Sequence, residues 1–322
     1  MFAVTAVRFN RADPLSGLEL GDRPDVSVPA GWTSVRLRAA SLNHHDLWSL
    51  RGVGLSADRL PMVLGTDGAG LDEDGNEVVL HAVIADPDRG GGDETLDPGR
   101  SLLSEVQPGT FAEVVAVPRR NLVPKPAGMS WEEAACLPTA WLTAYRMLFT
   151  KAALPPGGSV LVQGAGGGVA TAAIALARAA GYRVYATSRE QDKRRQALEL
   201  GAHVAMEAGA RLPERVDAVL ETVGEAPWAH SLRSLRPGGR LVVSGATSGP
   251  NPPADLNRVF FLQLDVVGST MGTRTELEQL IKFLDVTGVR PLVDVSMPLT
   301  QARDGFARLA EGDVFGKIVF TV

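Results

Sequence analysis

Residues 41–48 read SLNHHDLW, two adjacent histidines between an asparagine and an aspartate. Histidine titrates near neutrality and is a common metal ligand, so His44 and His45 are candidates for a metal centre or for proton transfer. Read as an extended segment, the pair points to opposite faces and does not share one ion. Spacings such as H-x-H or H-x-x-x-H would serve a metal better, and adding Asp67 does not complete a recognisable ligand set. As proton donors, the two histidines need reach to a product; the plainer reading of each is a polar wall or surface side chain. Trp48, followed by Leu50 and Arg51, either lines a substrate cleft or packs a core. The single cysteine, Cys136 in EEAACLPTA, has no histidine nearby in sequence and reads as a small buried hydrophobe.

A second stretch carries different chemistry. In SVLVQGAGGGVATAAIALARAAG (159–181) an apolar strand runs through Gly164, Gly166, Gly167, Gly168 and Val169 into an alanine-rich helix. Small residues let the backbone approach a pyrophosphate, and the helix start offers unpaired N–H groups and a positive dipole end. The strict G-x-G-x-x-G frame fails, because counting from Gly164 its last position is Val169. The strand before, the helix after and the further βα units support a dinucleotide site over a purely structural turn. NAD sites place an acid at the end of the second strand, to hold the ribose 2′-hydroxyl. That strand ends YATSREQDKRR, with Ser188 and Arg189 at its tip and Lys193 a turn later. A hydroxyl and cations suit a 2′-phosphate, so NADP(H) is the expected cofactor. Glu190 fills the acidic role if the tip lies one residue on, and an ordinary solvated helix start is the bland alternative.

These residues need a scaffold, and the chain shows two regimes. Residues 1 to about 120 carry short β-type runs (MFAVTAVRF, TSVRLRAAS, EVVLHAVIA, FAEVVAVP) broken by turn signals, with DPDRGGGDETLDPG (86–99) read as an exposed loop. Ser130 and Glu133 form a capping-box signature before a helix, WEEAACLPTAWLTAYRMLF. Nearly all-apolar strands then alternate with helices, which predicts an α/β fold with a doubly wound, parallel six-stranded sheet covered on both faces. The last strand, GKIVFTV, is expected to rejoin the first domain. The predicted domains are 1–122 with 272–322, and 123–271.

Composition narrows the partners. With 322 residues and a formal net charge of −5, the chain lacks the basic footprint expected for nucleic acid or an anionic membrane surface. One cysteine allows neither an intramolecular disulfide nor a Cys-rich zinc site, and fits a reducing cytoplasm. The start lacks a signal-peptide pattern and no apolar run is long enough to span a bilayer.

SLNHHDLW, PMVLGTDGAG, GTFAEVVAVP, LPTAWLTAYRML, the glycine turn, VDAVLETVG, LRPGGRLVVSG and GKIVF together resemble the medium-chain dehydrogenase/reductase superfamily, along nearly the whole chain. The chain is most similar to its zinc-independent quinone oxidoreductase branch, which includes zeta-crystallin. The resemblance implies a Rossmann-type dinucleotide domain and a strand-rich, GroES-like catalytic domain, with the cofactor held in the cleft between them. In the zinc alcohol dehydrogenase branch a cysteine stands at the position of Asn43. A histidine and a glutamate there follow the glycine at Gly65, where this chain has Thr66 and Asp67. The four-cysteine lobe is replaced by the loop around 86–108, so the resemblance implies no metal.

It also implies hydride transfer from NADPH to a quinone or an α,β-unsaturated carbonyl. Asn43 is expected at the nicotinamide ribose or amide, and Asp46 as a local structural anchor. Thr143, Val223, Ser269 and Thr270 are expected along the cofactor. Lys317 is expected near its phosphates or in a surface ion pair, and Tyr145 as a packed aromatic. Relatives pair through the strand corresponding to LDVVGSTM, whose apolar edge invites a second copy, so a homodimer is expected. Two other functions stay open: an alcohol dehydrogenase with a relocated metal, and a low-turnover NADPH-binding sensor or structural protein.

Overall fold

The alternation of residues 32–41 is that of a strand with one buried face, and Trp32–Ser41 is the longest strand of the molecule. In the computed structural model, which describes residues 1–322, it is the centre of the first of two units. Around it the strands run Leu122–Pro124, Glu77–Leu80, Asp67–Asp72, Trp32–Ser41, Lys317–Thr321 and Val293–Pro298, with Val114–Pro118 also paired to Trp32–Ser41. Lys317–Thr321 joins antiparallel, setting Val319 opposite Ser41, so the C-terminal strand does rejoin the first unit. A core of Leu47, Leu50, Phe111, Phe306 and Phe320 closes it. Phe111 meets Phe320 edge-to-face at 5.2 Å, a favoured aromatic geometry.

The second unit is the doubly wound sheet. Its six parallel strands run Val204–Met206, Arg183–Thr187, Ser159–Val162, Val216–Glu221, Leu235–Val243 and Asp265–Gly268. The order turns back between Ser159–Val162 and Val216–Glu221, and in such sheets ligands bind outside the carboxyl ends at that switch. Leu161, Val219, Leu232 and Leu241, all fully buried, fill the inside.

Four expectations change. The units divide at Leu142/Thr143 and not at 122/123, because the helix Trp131–Ala135 packs on Trp32–Ser41 and Asp67–Asp72 of the first unit. The expected single helix starts at the Ser130–Glu133 capping box but widens into π-type turns at Leu137–Trp141 and Arg146–Ala152. The loop 86–99 is pinned: Glu94, Thr95 and Asp97 are buried, and Glu94 accepts from the Arg274 N–H at 2.6 Å. Burial opposes the charge on Glu94, but the His81 and Arg274 contacts prevail and hold it at about 2. Finally, His44–Leu50 is a helix and not an extended segment, with Asn43 and Asp46 as its capping box.

Candidate active site

In the first unit the strand ends bring Ser41, Asn43, Thr66, Asp67 and Lys317 into one buried cluster. The Lys317 ammonium, 2% exposed, donates to Leu42 O (2.8 Å), Asn43 Oδ1 (2.6 Å) and Asp67 Oδ2 (3.3 Å). An ammonium has three N–H donors and no acceptor, so this set satisfies it. It also fixes the Asn43 amide, because only the carbonyl end can face a donor. The amide nitrogen then donates to Asp67 Oδ2 at 2.9 Å and lies 3.3 Å from Ser41 O and 3.4 Å from Thr66 Oγ1. Ser41 Oγ adds a 2.6 Å bond to the same Asp67 oxygen. Thr66 Oγ1 is 2.9 Å from Thr139 Oγ1, within the π-type turn.

The helix start carries the rest. Asp46 accepts from Asn43 N (2.9 Å) and Gly65 N (3.0 Å), tying the helix to the strand approach. Burial lifts its pKa to about 6, against the pull of the His45 charge, the Asn43 N–H and Lys317. His45 Nε2 lies 2.9 Å from Glu105 Oε1. Burial opposes its charge, but Glu105, Asp46 and Asp67 outweigh that and raise its pKa. His44 is exposed at the first helical position, yet the surrounding protein, Lys317 and Arg51 lower its pKa. Trp48 is half-buried. Burial drives the Cys136 thiol up to about 12, which leaves it inert as a nucleophile.

In the second unit the glycine turn opens the helix Gly168–Ala179, whose first turn has no side-chain cap. A Cβ on Gly167 would meet nothing within 4 Å, so the approach is open. A Cβ on Gly164 would strike Val223 Cγ2 at 2.6 Å, which brings the ETVG turn against the glycine turn. Gly166, Gly168 and Val169 complete that bend. The features fit a pyrophosphate: uncapped N–H donors and a backbone free of side chains. At the tip of Arg183–Thr187, Ser188 is buried and Arg189 exposed, and Arg194 Nη1 donates to both of their carbonyls at 2.9 Å. Lys193 Nζ lies 2.9 Å from Glu190 Oε1, so Glu190 is already paired. Thr143 is buried at the start of this unit, and Thr270 is exposed at the end of the last strand. Ser269 donates its backbone N–H to Val243 O and holds a buried Oγ without a partner.

Two features lay outside the sequence reading. One is Thr66 and Thr139, whose contact spans 73 residues and has no local signal. The other is a network beneath the glycine turn. Glu221 accepts from Val223 N, Gly224 N and Ser231 Oγ at 2.7–2.9 Å. Gln163 Nε2 lies 2.9 Å from both Ser231 Oγ and His230 Nδ1, and Gln163 Oε1 accepts from Thr187 Oγ1. His230 Nε2 faces the Ala210 carbonyl at 2.8 Å, so that nitrogen holds the proton and Nδ1 accepts.

A zinc-binding dehydrogenase family model matches residues 168–285, and one for the alcohol dehydrogenase GroES-like domain matches 29–127. A solved NAD-dependent alcohol dehydrogenase is 35% identical, covers 100% of both chains and superposes with a TM-score of 0.92. The zinc-type alcohol dehydrogenase-like protein of Schizosaccharomyces pombe is 28% identical over 98% of this chain and 99% of its own. The acryloyl-coenzyme A reductase of Metallosphaera sedula is 28% identical over 95% of this chain and 96% of its own. With its doubly wound dinucleotide sheet and GroES-like unit, this chain belongs to the medium-chain dehydrogenase/reductase superfamily of oxidoreductases.

Proposed function

We propose that this protein is an NADPH-dependent reductase that passes hydride to an α,β-unsaturated carbonyl, or to a quinone, without a metal ion. The observation that carries the reading is the Lys317 ammonium seated among the oxygens of Leu42, Asn43 and Asp67. The cluster offers an amide, hydroxyls and one carboxylate around a cation that the chain itself supplies. Zinc favours thiolate and imidazole, and no group of three or more His, Cys, Asp or Glu side chains converges anywhere in the molecule. Deprotonating an unactivated alcohol depends on a metal's lowering of its pKa, so an electron-poor alkene or quinone is the better acceptor. Similarity to an acryloyl-coenzyme A reductase supports the activated alkene.

When bound, the nicotinamide supplies the hydride. The uncapped N–H groups of Gly168–Ala179 hold the pyrophosphate, and the exposed Arg189 meets the 2′-phosphate. Glu190, paired with Lys193, does not compete for that position. Asn43 acts as a wall of the site through its fixed amide. The exposed His44 is the candidate for returning a proton to the product, whereas His45 is occupied by Glu105. The same reading places the protein in the cytoplasm, where one buried thiol is an ordinary state.

NADPH oxidation by the purified protein is expected with enone or quinone acceptors and at an unchanged rate in excess chelator. Loss of activity in chelator with recovery on added zinc would instead support a relocated-metal alcohol dehydrogenase. NADPH binding with no acceptor across a broad carbonyl and quinone panel would support a sensor.

The reading includes a homodimer. Asp265–Gly268 is an edge strand with Val266 exposed, and the helix just before it exposes Leu256, Phe260 and Phe261, the last at 78%. An apolar patch beside an open strand edge is a pairing surface. Light scattering at micromolar concentration is expected to give twice the chain mass, and Phe261→Asp to shift it toward one. A monomeric wild type contradicts the dimer.

A further inference from the structure

We propose that the Thr139 hydroxyl is a catalytic hydrogen-bond donor to the acceptor's carbonyl oxygen, at the outward end of a one-way chain that begins at Lys317. The inference rests on the reductase reading above and adds to it the group that steadies the developing negative charge.

The direction of the chain follows from donor inventory. Lys317 can only donate, so Asn43 Oδ1 accepts at 2.6 Å; the Asn43 nitrogen then donates one hydrogen to Asp67 Oδ2 and shares the other between Ser41 O at 3.3 Å and Thr66 Oγ1 at 3.4 Å. Thr66 is 0% exposed, and its hydroxyl hydrogen has one acceptor within reach, Thr139 Oγ1 at 2.9 Å. If Thr139 donated in that contact, the Thr66 hydrogen would be buried and unpaired, which costs the full desolvation of a polar group. Thr66 therefore donates, and the Thr139 hydrogen is left to point elsewhere. Lys317, Asn43 and Thr66 are all buried, and Thr139 alone in the chain is partly exposed. Chains of hydrogen bonds that start at a charge polarise along their length, which strengthens the last donor. Thr139 also sits in the π-type turn Leu137–Trp141, a local widening that recurs at functional sites.

The chemistry needs such a donor. Hydride adds to the β-carbon of the enone, breaking the C=C π bond; NADPH is oxidised to NADP⁺ and the electron pair moves onto the carbonyl oxygen. Thr139 O–H stabilises that enolate oxygen without giving up its proton. A proton that the exposed His44 draws from solvent and delivers to the α-carbon then completes the saturated carbonyl. A donor aimed at the oxyanion does in this site what a Lewis acid does in a metal-dependent one.

The test uses Thr139→Val, which keeps shape and removes the donor, and Thr139→Ser, which keeps the donor. Four quantities are read in the full-length protein: the NADPH Kd from nicotinamide fluorescence, the melting temperature, and kcat on an activated and on a less activated enone. Thr139→Val is expected to lower kcat about 10²-fold, the scale for removing one oxyanion donor. The loss should be larger on the less activated enone, with Kd at the wild-type value and a modest fall in melting temperature, because the buried Thr66 hydroxyl loses its acceptor; Thr139→Ser should recover most of both. Wild-type kcat in Thr139→Val, or a serine variant as impaired as the valine one, overturns the inference while leaving the reductase reading intact. A wild-type protein that binds NADPH but reduces no enone overturns both.

Discussion

Replacing Lys317 with methionine lowers the stability of the first unit by about 3–5 kcal/mol, the range for removing one partner of a buried ion pair. The Asp67 carboxylate is 0% exposed, one of its oxygens already lacks a partner, and the other accepts from Ser41, Asn43 and Lys317. Without the ammonium, that charge faces only neutral donors, and Leu42 O and Asn43 Oδ1 lose theirs. The Asn43 amide is then free to rotate, so hydride transfer falls together with stability. Lys317→Met with Asp67→Asn separates the two causes: removing both charges should restore much of the melting temperature, because the penalty lies in the stranded charge. Calorimetry on the two variants decides it. A single variant that melts with the wild type shows that water replaces the ammonium at no cost, and the cluster is then not charge-balanced by Lys317.

The glycine turn was legible because its requirement is local: a pyrophosphate needs small residues in one contiguous run, and Gly164–Gly168 provide it. The alternating sheet was legible for a similar reason, since strands buried on both faces must be apolar throughout. SLNHHDLW carries a local signal of its helix. Asn43 and Asp46 stand at capping-box spacing, and reading that pattern would have made His44 the first residue of a helix. Lys317 offers no such signal. Its bond to Asn43 spans 274 residues and exists because the last strand pairs with Trp32–Ser41. Loop 86–99 has the Gly- and Asp-rich composition of a solvated loop. Composition does not reveal that Glu94 meets the N–H of Arg274, 180 residues away, at the start of the helix Arg274–Thr287. Pairwise burial of charge is a property of the folded register, and single-sequence patterns do not contain it.

The same holds for the network under the dinucleotide turn, where the second large effect is expected. Glu221→Ala is predicted to destabilise the second unit by about 3 kcal/mol or more and to weaken NADPH binding about tenfold. The carboxylate is 0% exposed and is the acceptor for Val223 N, Gly224 N and Ser231 Oγ. Each buried donor left unpaired costs about 1–3 kcal/mol. Burial raises the Glu221 pKa, while those three donors pull it down. The binding loss follows from geometry. The Val223 side chain rests on Gly164, so relaxing the Val223–Gly224 turn moves a wall of the pyrophosphate site, and 1.4 kcal/mol of misfit is tenfold in Kd. Ser231→Ala is the graded control: it removes the link from Gln163 to Glu221 but leaves both backbone N–H bonds, so binding should stay near wild type while stability falls by about 1 kcal/mol. Nicotinamide fluorescence titration and thermal melting on the two variants separate the effects. If Glu221→Ala binds NADPH as tightly as the wild type, the turn is held by its own backbone and the carboxylate serves stability alone.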